Sequence, residues 1–196
     1  MKPIHVMIIL VAALAILVTA CARTPATDAS ASQNIPQSLT LAQLYSYNAV
    51  HGYTYKVTTM LATGEQSTQS IATVAADKVY GIAAWRVESK SSAADTTTVR
   101  IWLDQNTLRC TKLDTVSVVD GIPVTNPGFC PIGETTAPLV KYVFAKTEKI
   151  SVGAGTFTAR KYADAGSAYW IAPNVPLPVK ISTGSGSVIM ELESYT

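Results

Sequence analysis

From residue 52 onward, hydrophobic and polar positions alternate along the chain. Tyr53, Tyr55 and Val57 fall on one side of this pattern, and the polar residues between them fall on the other. The alternation predicts a strand from Gly52, and equivalent patterns predict strands over residues 66–75, 79–90, 96–103, 107–119, 139–152, 156–163, 168–172, 177–183 and 187–195. Short strands rich in Thr, Val and Tyr and joined by turn residues are typical of antiparallel β structure. We therefore expect a mainly β domain whose sheet has one buried face and one face that is solvated or lines a cavity.

One short helix is expected before the strands. Thr40 and Gln43 have the spacing of a capping box, in which side chains satisfy the free amides of a first helical turn. Leu41 and Leu44 share one helical face, and Gly52 is suited to end the helix. The pattern predicts a helix over residues 40–50.

Residues 120–138 interrupt the strand pattern. Their four prolines and three glycines exclude a regular central strand, and we expect an irregular loop. Cys130 lies in this loop and Cys110 in a predicted strand. In an oxidising compartment the simplest state of such a pair is a disulfide, and two free thiols are the alternative. The loop is then either a stapled surface loop or a flap over a ligand.

The first residues of the chain have a different pattern. Lys2 is followed by an apolar run from Ile4 to Leu17, interrupted only by His5, and small residues precede Cys21. This order resembles the lipobox of prokaryotic lipoproteins, which implies cleavage before Cys21 and attachment of lipid to its sulfur. An uncleaved membrane anchor is the alternative. Both interpretations place the rest of the chain outside the cytoplasm, on the periplasmic side of a membrane or at the cell surface.

The predicted organisation has three parts. Residues 1–20 are the signal peptide, residues 21–38 are the lipidated cysteine and a flexible tether, and residues 39–196 are a single domain. The tether contains mostly Ala, Ser, Thr, Pro, Gln and Asn, which cannot build a core. A flexible segment of this length has a root-mean-square span of roughly 20–25 Å. The domain is therefore expected to stay close to the membrane surface.

Composition and motifs argue against several functions. The net charge is +2, with 15 basic and 13 acidic residues and no basic run, which gives no electrostatic reason to expect nucleic acid. No phosphate loop, nucleophile elbow or zinc-protease motif is present, and His51 is the only histidine after the signal peptide. Gly184 to Ser187 is interpreted as a hairpin turn, and Glu191 with Glu193 as a solvated strand face. We expect neither an enzyme, nor a metal site, nor a cofactor.

The last third of the chain carries a recognisable order of residues: Gly155-Thr-Phe157, Tyr169-Trp170, Pro178-Val-Lys180 and Glu191-Leu192. This order resembles uncharacterised prokaryotic envelope lipoproteins, bacterial or archaeal, which are similar in fold to the LolA/LolB lipoprotein carriers. Residues 79–112 resemble the front half of archaeal proteins of this kind. The resemblance implies an antiparallel sheet curled into an incomplete, or half, barrel. It brings no catalytic residues with it.

Large aromatic side chains are the remaining candidates for a functional site. Trp102 is unusual because it alternates onto the polar side of its strand, opposite Val99, Ile101 and Leu103. We expect it to be sheltered by the helix at 40–50, the loop at 120–138 or a ligand in the concave face. Tyr142, Phe144 and Trp170 are further candidates for that face.

Two functions remain open. In the first, the half barrel binds or carries a lipid or another apolar small molecule. In the second, side chains of the protein fill the interior of the barrel, and its surface binds an envelope protein.

Overall fold

The computed structural model describes residues 35–92, 97–130 and 140–196. The described chain is mainly β, with one short α-helix, α1 (Leu41–Leu44). The strands are β1 (Ser38–Thr40), β2 (Gly52–Leu61), β3 (Gly64–Val79), β4 (Ile82–Ser91), β5 (Thr97–Asp104), β6 (Cys110–Val119), β7 (Ile122–Gly128), β8 (Lys141–Val152), β9 (Gly155–Ala163), β10 (Ser167–Ile171), β11 (Lys180–Thr183) and β12 (Val188–Tyr195).

All the strands join one antiparallel sheet. Its order is β1-β8-β9-β10-β11-β12-β2-β3-β4-β5-β6-β7, so the sheet runs from β1 to β7 without closing. Most neighbours are consecutive in the chain and are joined by tight hairpins, whereas β12 returns to pair with β2. The expected mainly β, antiparallel fold is confirmed.

The alternation of side chains places the core on one face of this sheet. Val74, Val87, Ile101 and Leu113 are direct cross-strand neighbours on β3 to β6, and all four are buried. Fully burying such a side chain stabilises the fold by about 1.5–3 kcal/mol. We call the face that carries these residues the core face and the opposite one the outer face.

The segment between β1 and β2 packs onto the core instead of forming the continuous helix expected at 40–50. The capping interaction is present, because Gln43 Oε1 accepts a hydrogen bond from the Thr40 amide at 2.8 Å. The α-helix nevertheless ends at Leu44, and a 3-10 turn follows at Tyr47–Ala49. The Ser46 amide, which would continue the helix, donates to the Pro176 carbonyl instead. A tertiary contact therefore overrides the helical periodicity.

The prediction of an irregular loop at 120–138 is wrong for residues 122–128. These residues form β7, which pairs with β6 from Leu113↔Gly128 to Val119↔Ile122. β7 lies at the edge of the sheet, where a proline can face away from the neighbouring strand without loss of a ladder hydrogen bond. Residues 131–139 lie outside the described residues, so the choice between a loop and a flap is open there.

The expected disulfide between Cys110 and Cys130 is confirmed. It ties the segment after β7 to the first residue of β6. Cys21, with the predicted signal peptide and most of the predicted tether, lies outside the described residues. Within the part of the chain that the structure describes, no helix has the length and apolar character needed to cross a membrane.

Candidate ligand-binding surface around Trp102

Trp102 lies on the outer face of β5, and its side chain is only 7% exposed. Its direct cross-strand neighbours are Arg86 on β4 and Lys112 on β6. It packs with Val79 and Ala84 in a small cluster separate from the main core. The sequence predicted that the helix at 40–50, the loop at 120–138 or a ligand in the concave face shelters Trp102, and among the described residues its shelter comes from the sheet instead. Neighbouring side chains of the sheet itself cover this tryptophan.

Polar contacts fix the orientation of the Trp102 ring. The indole Nε1 donates a hydrogen bond to Asp77 Oδ2 at 2.9 Å. The Lys112 ammonium lies 4.3 Å from the ring centroid, a cation–π contact. The hydrogen bond from Trp102, together with the Lys78 amide and Arg86, holds the pKa of Asp77 below its usual value. The carboxylate therefore stays ionised and keeps accepting from the indole.

Ion pairs surround the tryptophan on the outer face. Basic and acidic side chains alternate on neighbouring strands, and three of each are paired within 4 Å. The pairs are Arg86–Asp77 at 3.4 Å, Arg86–Glu88 at 3.1 Å, Arg100–Glu88 at 3.2 Å and Lys112–Asp114 at 2.7 Å. The two pairs that Glu88 makes are partly exposed, and such pairs each contribute about 0–1 kcal/mol to stability. Their main effect here is to hold the long side chains in place around the ring.

A pocket of about 310 Å³ opens beside this cluster. Its lining comes from the end of β3, the following turn and the Trp102 row: Asp77, Lys78, Val79, Tyr80, Trp102 and Lys112. Tyr80 and Gly81 form the two-residue turn between β3 and β4, which replaces the strand expected to run on from residue 79. Tyr80 is 84% exposed. The sequence interpretation missed Tyr80, although a tyrosine–glycine pair between two alternating segments is compatible with a hairpin turn.

Trp170, on β10, repeats the arrangement of Trp102 in another part of the sheet. Its cross-strand neighbours are Lys161 on β9 and Lys180 on β11. The two ammonium groups lie 4.9 and 5.9 Å from its ring centroid. Its Nε1 donates to Glu148 Oε1 at 2.7 Å, and hydrogen bonds from Lys146 and then Trp170 lower the pKa of Glu148. Each tryptophan thus stands between two basic residues with its indole N–H on a carboxylate.

The other two aromatic candidates belong to the core. Tyr142 is fully buried, and its ring centroid lies 4.8 Å from that of Tyr169. Phe144 is partly buried and packs edge-on against Tyr162 at 5.8 Å. The structure therefore does not bring Trp102, Tyr142, Phe144 and Trp170 into one site.

The acidic residues of β12 have separate partners. Glu191 accepts a hydrogen bond from Lys180 at 2.9 Å, and Glu193 accepts one from Gln69 at 2.7 Å. Within the described ranges, no three His, Cys, Asp or Glu side chains come together as metal ligands.

The described residues thus form an open antiparallel sheet with a polar, partly aromatic pocket on its outer face. No protein-family model and no curated protein matches the chain. The similarity to envelope lipoproteins and to lipoprotein carriers therefore stays a prediction from the sequence.

Proposed function

We propose that this protein is a lipid-anchored, extracytoplasmic binding protein of a prokaryotic cell envelope, and that it acts through its outer surface without catalysis. The observation that carries the proposal is the filling of the core face by the protein's own side chains. Tyr55, Tyr142, Tyr162, Leu177 and Leu192 are all at most 2% exposed in one continuous core. Binding of a partner is then left to the solvated side of the sheet.

The segment that enters the domain from the tether supports this proposal. Leu44, Tyr47 and Val50 are buried in the same core, and the Tyr45 ring packs against Tyr169 at 6.4 Å. This segment occupies the position over the sheet where a carrier would hold its cargo.

We also infer that the sheet curls into the incomplete barrel that the sequence resemblance implies. The Ala154 amide, in the turn between β8 and β9, donates to the Leu192 carbonyl of β12 at 2.9 Å. β10 and β11 separate β9 from β12 in the strand order. A direct bond between strands so far apart in the order supports strong curvature of this part of the sheet.

One observation favours a second candidate, an apolar-ligand carrier. Val119, Ile122 and Val124 continue the core face to the end of the β6–β7 hairpin, where they are 54%, 66% and 39% exposed. Exposed aliphatic side chains next to a core form a surface that an acyl chain can cover.

Native mass spectrometry of the full-length protein, extracted from its own membranes, separates the two candidates. The proposal predicts the covalent lipid on Cys21 and no second lipid that dissociates on activation. A stoichiometric dissociable lipid would establish the carrier instead. That lipid should then be lost in Ile122→Asn and kept in Met60→Asn, a matched control at an exposed apolar position on the β2–β3 hairpin, where Met60 is 49% exposed.

The membrane anchor has its own test. Cys21→Ser removes the only sulfur to which the predicted lipid can attach. We expect the variant either to leave the membrane fraction or to accumulate as the unprocessed precursor. Normal processing together with unchanged membrane association would contradict the lipoprotein assignment.

A further inference from the structure

The edge of the sheet at β8 is covered only in part. In the strand order β8 lies next to β1, which pairs with it only from Lys141 to Val143. One further bond follows, from the Phe144 amide to the Gln37 carbonyl at 2.9 Å. β8 continues beyond this point, and no other described residue bonds to its backbone on that side. We call this open stretch, residues 146–151, the β8 edge.

The register of the β8–β9 hairpin shows which backbone groups face the open side. The hairpin closes at the pair Val152↔Gly155, and the closing pair of a two-residue hairpin is hydrogen-bonded. Alternate residues of an antiparallel strand bond to opposite sides. Three residues of the β8 edge therefore direct their N–H and C=O groups away from β9: Thr147, Lys149 and Ser151.

The opposite edge of the sheet is built differently. There β7 contains Pro123 and Pro127, and proline has no N–H to offer to a further strand. The β8 edge contains no proline and keeps its outward donors and acceptors. Lys149 is exposed in the middle of this row and forms no ion pair with another described residue. Its charge disfavours pairing with an identical edge, where like charges meet, and favours a strand with acidic side chains.

The other face of the β8 edge is partly apolar. Ile150 and Val152 point to the face opposite Lys149, where both are half-buried. Phe157, the cross-strand partner of Ile150, is also partly buried and extends this apolar strip onto β9. A strand added at the β8 edge would continue the strip with apolar side chains on this face and would meet Lys149 on the other.

We propose that the β8 edge binds an extended segment of a partner envelope protein as an additional β-strand, an assignment that rests on the proposed role as an extracytoplasmic binding protein. The outward N–H and C=O groups of Thr147, Lys149 and Ser151 pair with the backbone of that segment. Its acidic side chains lie opposite Lys149, and its apolar side chains lie beside Ile150. The partner segment therefore has a sequence in which acidic and apolar residues alternate.

Two synthetic peptides test the class of partner. The first is a capped, labelled peptide in which glutamate and valine alternate, and the second has lysine in place of glutamate. Fluorescence anisotropy with the full-length protein in detergent should show saturable binding of the glutamate peptide. The lysine peptide should bind at least about tenfold more weakly. Equal affinities, or no saturable binding of the glutamate peptide, would overturn the proposal.

A third peptide separates strand pairing from simple charge attraction. It has the glutamate–valine sequence with methyl groups on the glutamate amides, which are the N–H groups that face β8 when glutamate lies opposite Lys149. Its charge is unchanged, so its affinity should fall by about tenfold or more only if those hydrogen bonds form. Undiminished binding of the methylated peptide would refute strand addition.

A charge reversal locates the site. Lys149→Glu, at an exposed position, should bind the lysine peptide more tightly than the glutamate peptide. Lys141→Glu is the matched control, because Lys141 lies on the same strand roughly 26 Å away, where β1 covers the edge. It should keep the wild-type preference, since charges are screened beyond a Debye length of roughly 8 Å. A preference that Lys149→Glu leaves unchanged would contradict the assignment.

Sedimentation of the full-length protein in detergent tests the other occupants of the edge. A monomer that binds the glutamate peptide supports the proposal. A dimer that dissociates in Thr147→Pro, which removes one outward amide, would assign the edge to a second copy and overturn the proposal. Occupation by the chain's own N-terminal segment would abolish peptide binding and also overturn it. These results are independent of lipid content and of Cys21 processing, which test the proposed function.

Discussion

A buried hydrogen bond from the Tyr55 hydroxyl is expected to contribute measurably to the stability of the core. Tyr55 is 2% exposed, and its hydroxyl donates a hydrogen bond to the carbonyl of Pro178, whose side chain is also fully buried. This bond joins β2 to the proline-rich segment before β11. Tyr55→Phe keeps the ring in place but leaves that buried carbonyl without its donor.

The expected loss follows from the cost of an unsatisfied buried group. Leaving a buried acceptor unpaired costs about 1–3 kcal/mol. For a domain of this size, a loss of ~2 kcal/mol corresponds to a fall in Tm of roughly 4–8 °C. Urea unfolding of Tyr55→Phe should show a lower midpoint with an unchanged m value.

The matched control is Tyr195→Phe, at a tyrosine that is 38% exposed, which should unfold like the wild type. If Tyr55→Phe also unfolds at the wild-type midpoint, the hydrogen bond does not stabilise the fold, and the reasoning from burial fails.

Three further predictions concern the disulfide, a carboxylate and the tyrosine cluster. Replacing both Cys110 and Cys130 by Ser should lower the free energy of unfolding by ~3 kcal/mol, because a bridge across a separation of 20 residues restricts the unfolded chain. A loss under about 1 kcal/mol in urea unfolding would contradict this prediction. Trp102→Phe should raise the pKa of Asp77 toward its usual value of about 4, measured by carbon-13 NMR, and an unchanged pKa would show that the indole bond is not its main cause. Burial raises the pKa of Tyr53 to about 12, so the unfolded phenol loses its proton first; the stability from this residue should be complete well below pH 10 and fall by ~2 kcal/mol by pH 12, whereas a free energy of unfolding that is constant from pH 9 to 11.5 would refute it.

The sequence predicted the strands whose alternation continues over many residues, because each of them has one face in the core. It failed where local pattern and tertiary contact disagree. The helical spacing of Leu44 and its neighbours was correct as a sign of burial, but the bond from Ser46 to Pro176 ends the helix. Strand β1 was missed because a strand of three residues is too short to show an alternating pattern of hydrophobic and polar positions.

The candidate site was predicted only in part. The position of Trp102 on the polar side of β5 was correctly inferred, since alternation fixes the face of a residue. Its shelter was not predictable, because Asp77 and Lys112 approach it from strands 25 and 10 residues away in the chain. Tyr80 was not recognised as a turn residue because a continuous strand was predicted from residue 79 onward.

The prolines of β7 have a consequence for how copies of this protein meet in the lipid-anchored state proposed above. A proline in an edge strand is tolerated where its nitrogen points away from the neighbouring strand, so Pro123 and Pro127 occupy the outward positions of β7 on either side of Thr125. Within Ile122–Gly128, Thr125 then supplies the one outward amide that a foreign strand could use. Anchoring in a membrane, as proposed above, would raise the encounter rate of copies in two dimensions, and an open sheet edge would let them pair edge to edge. The two prolines remove the amides that pairing at this edge would need, so copies that meet there are expected to stay separate.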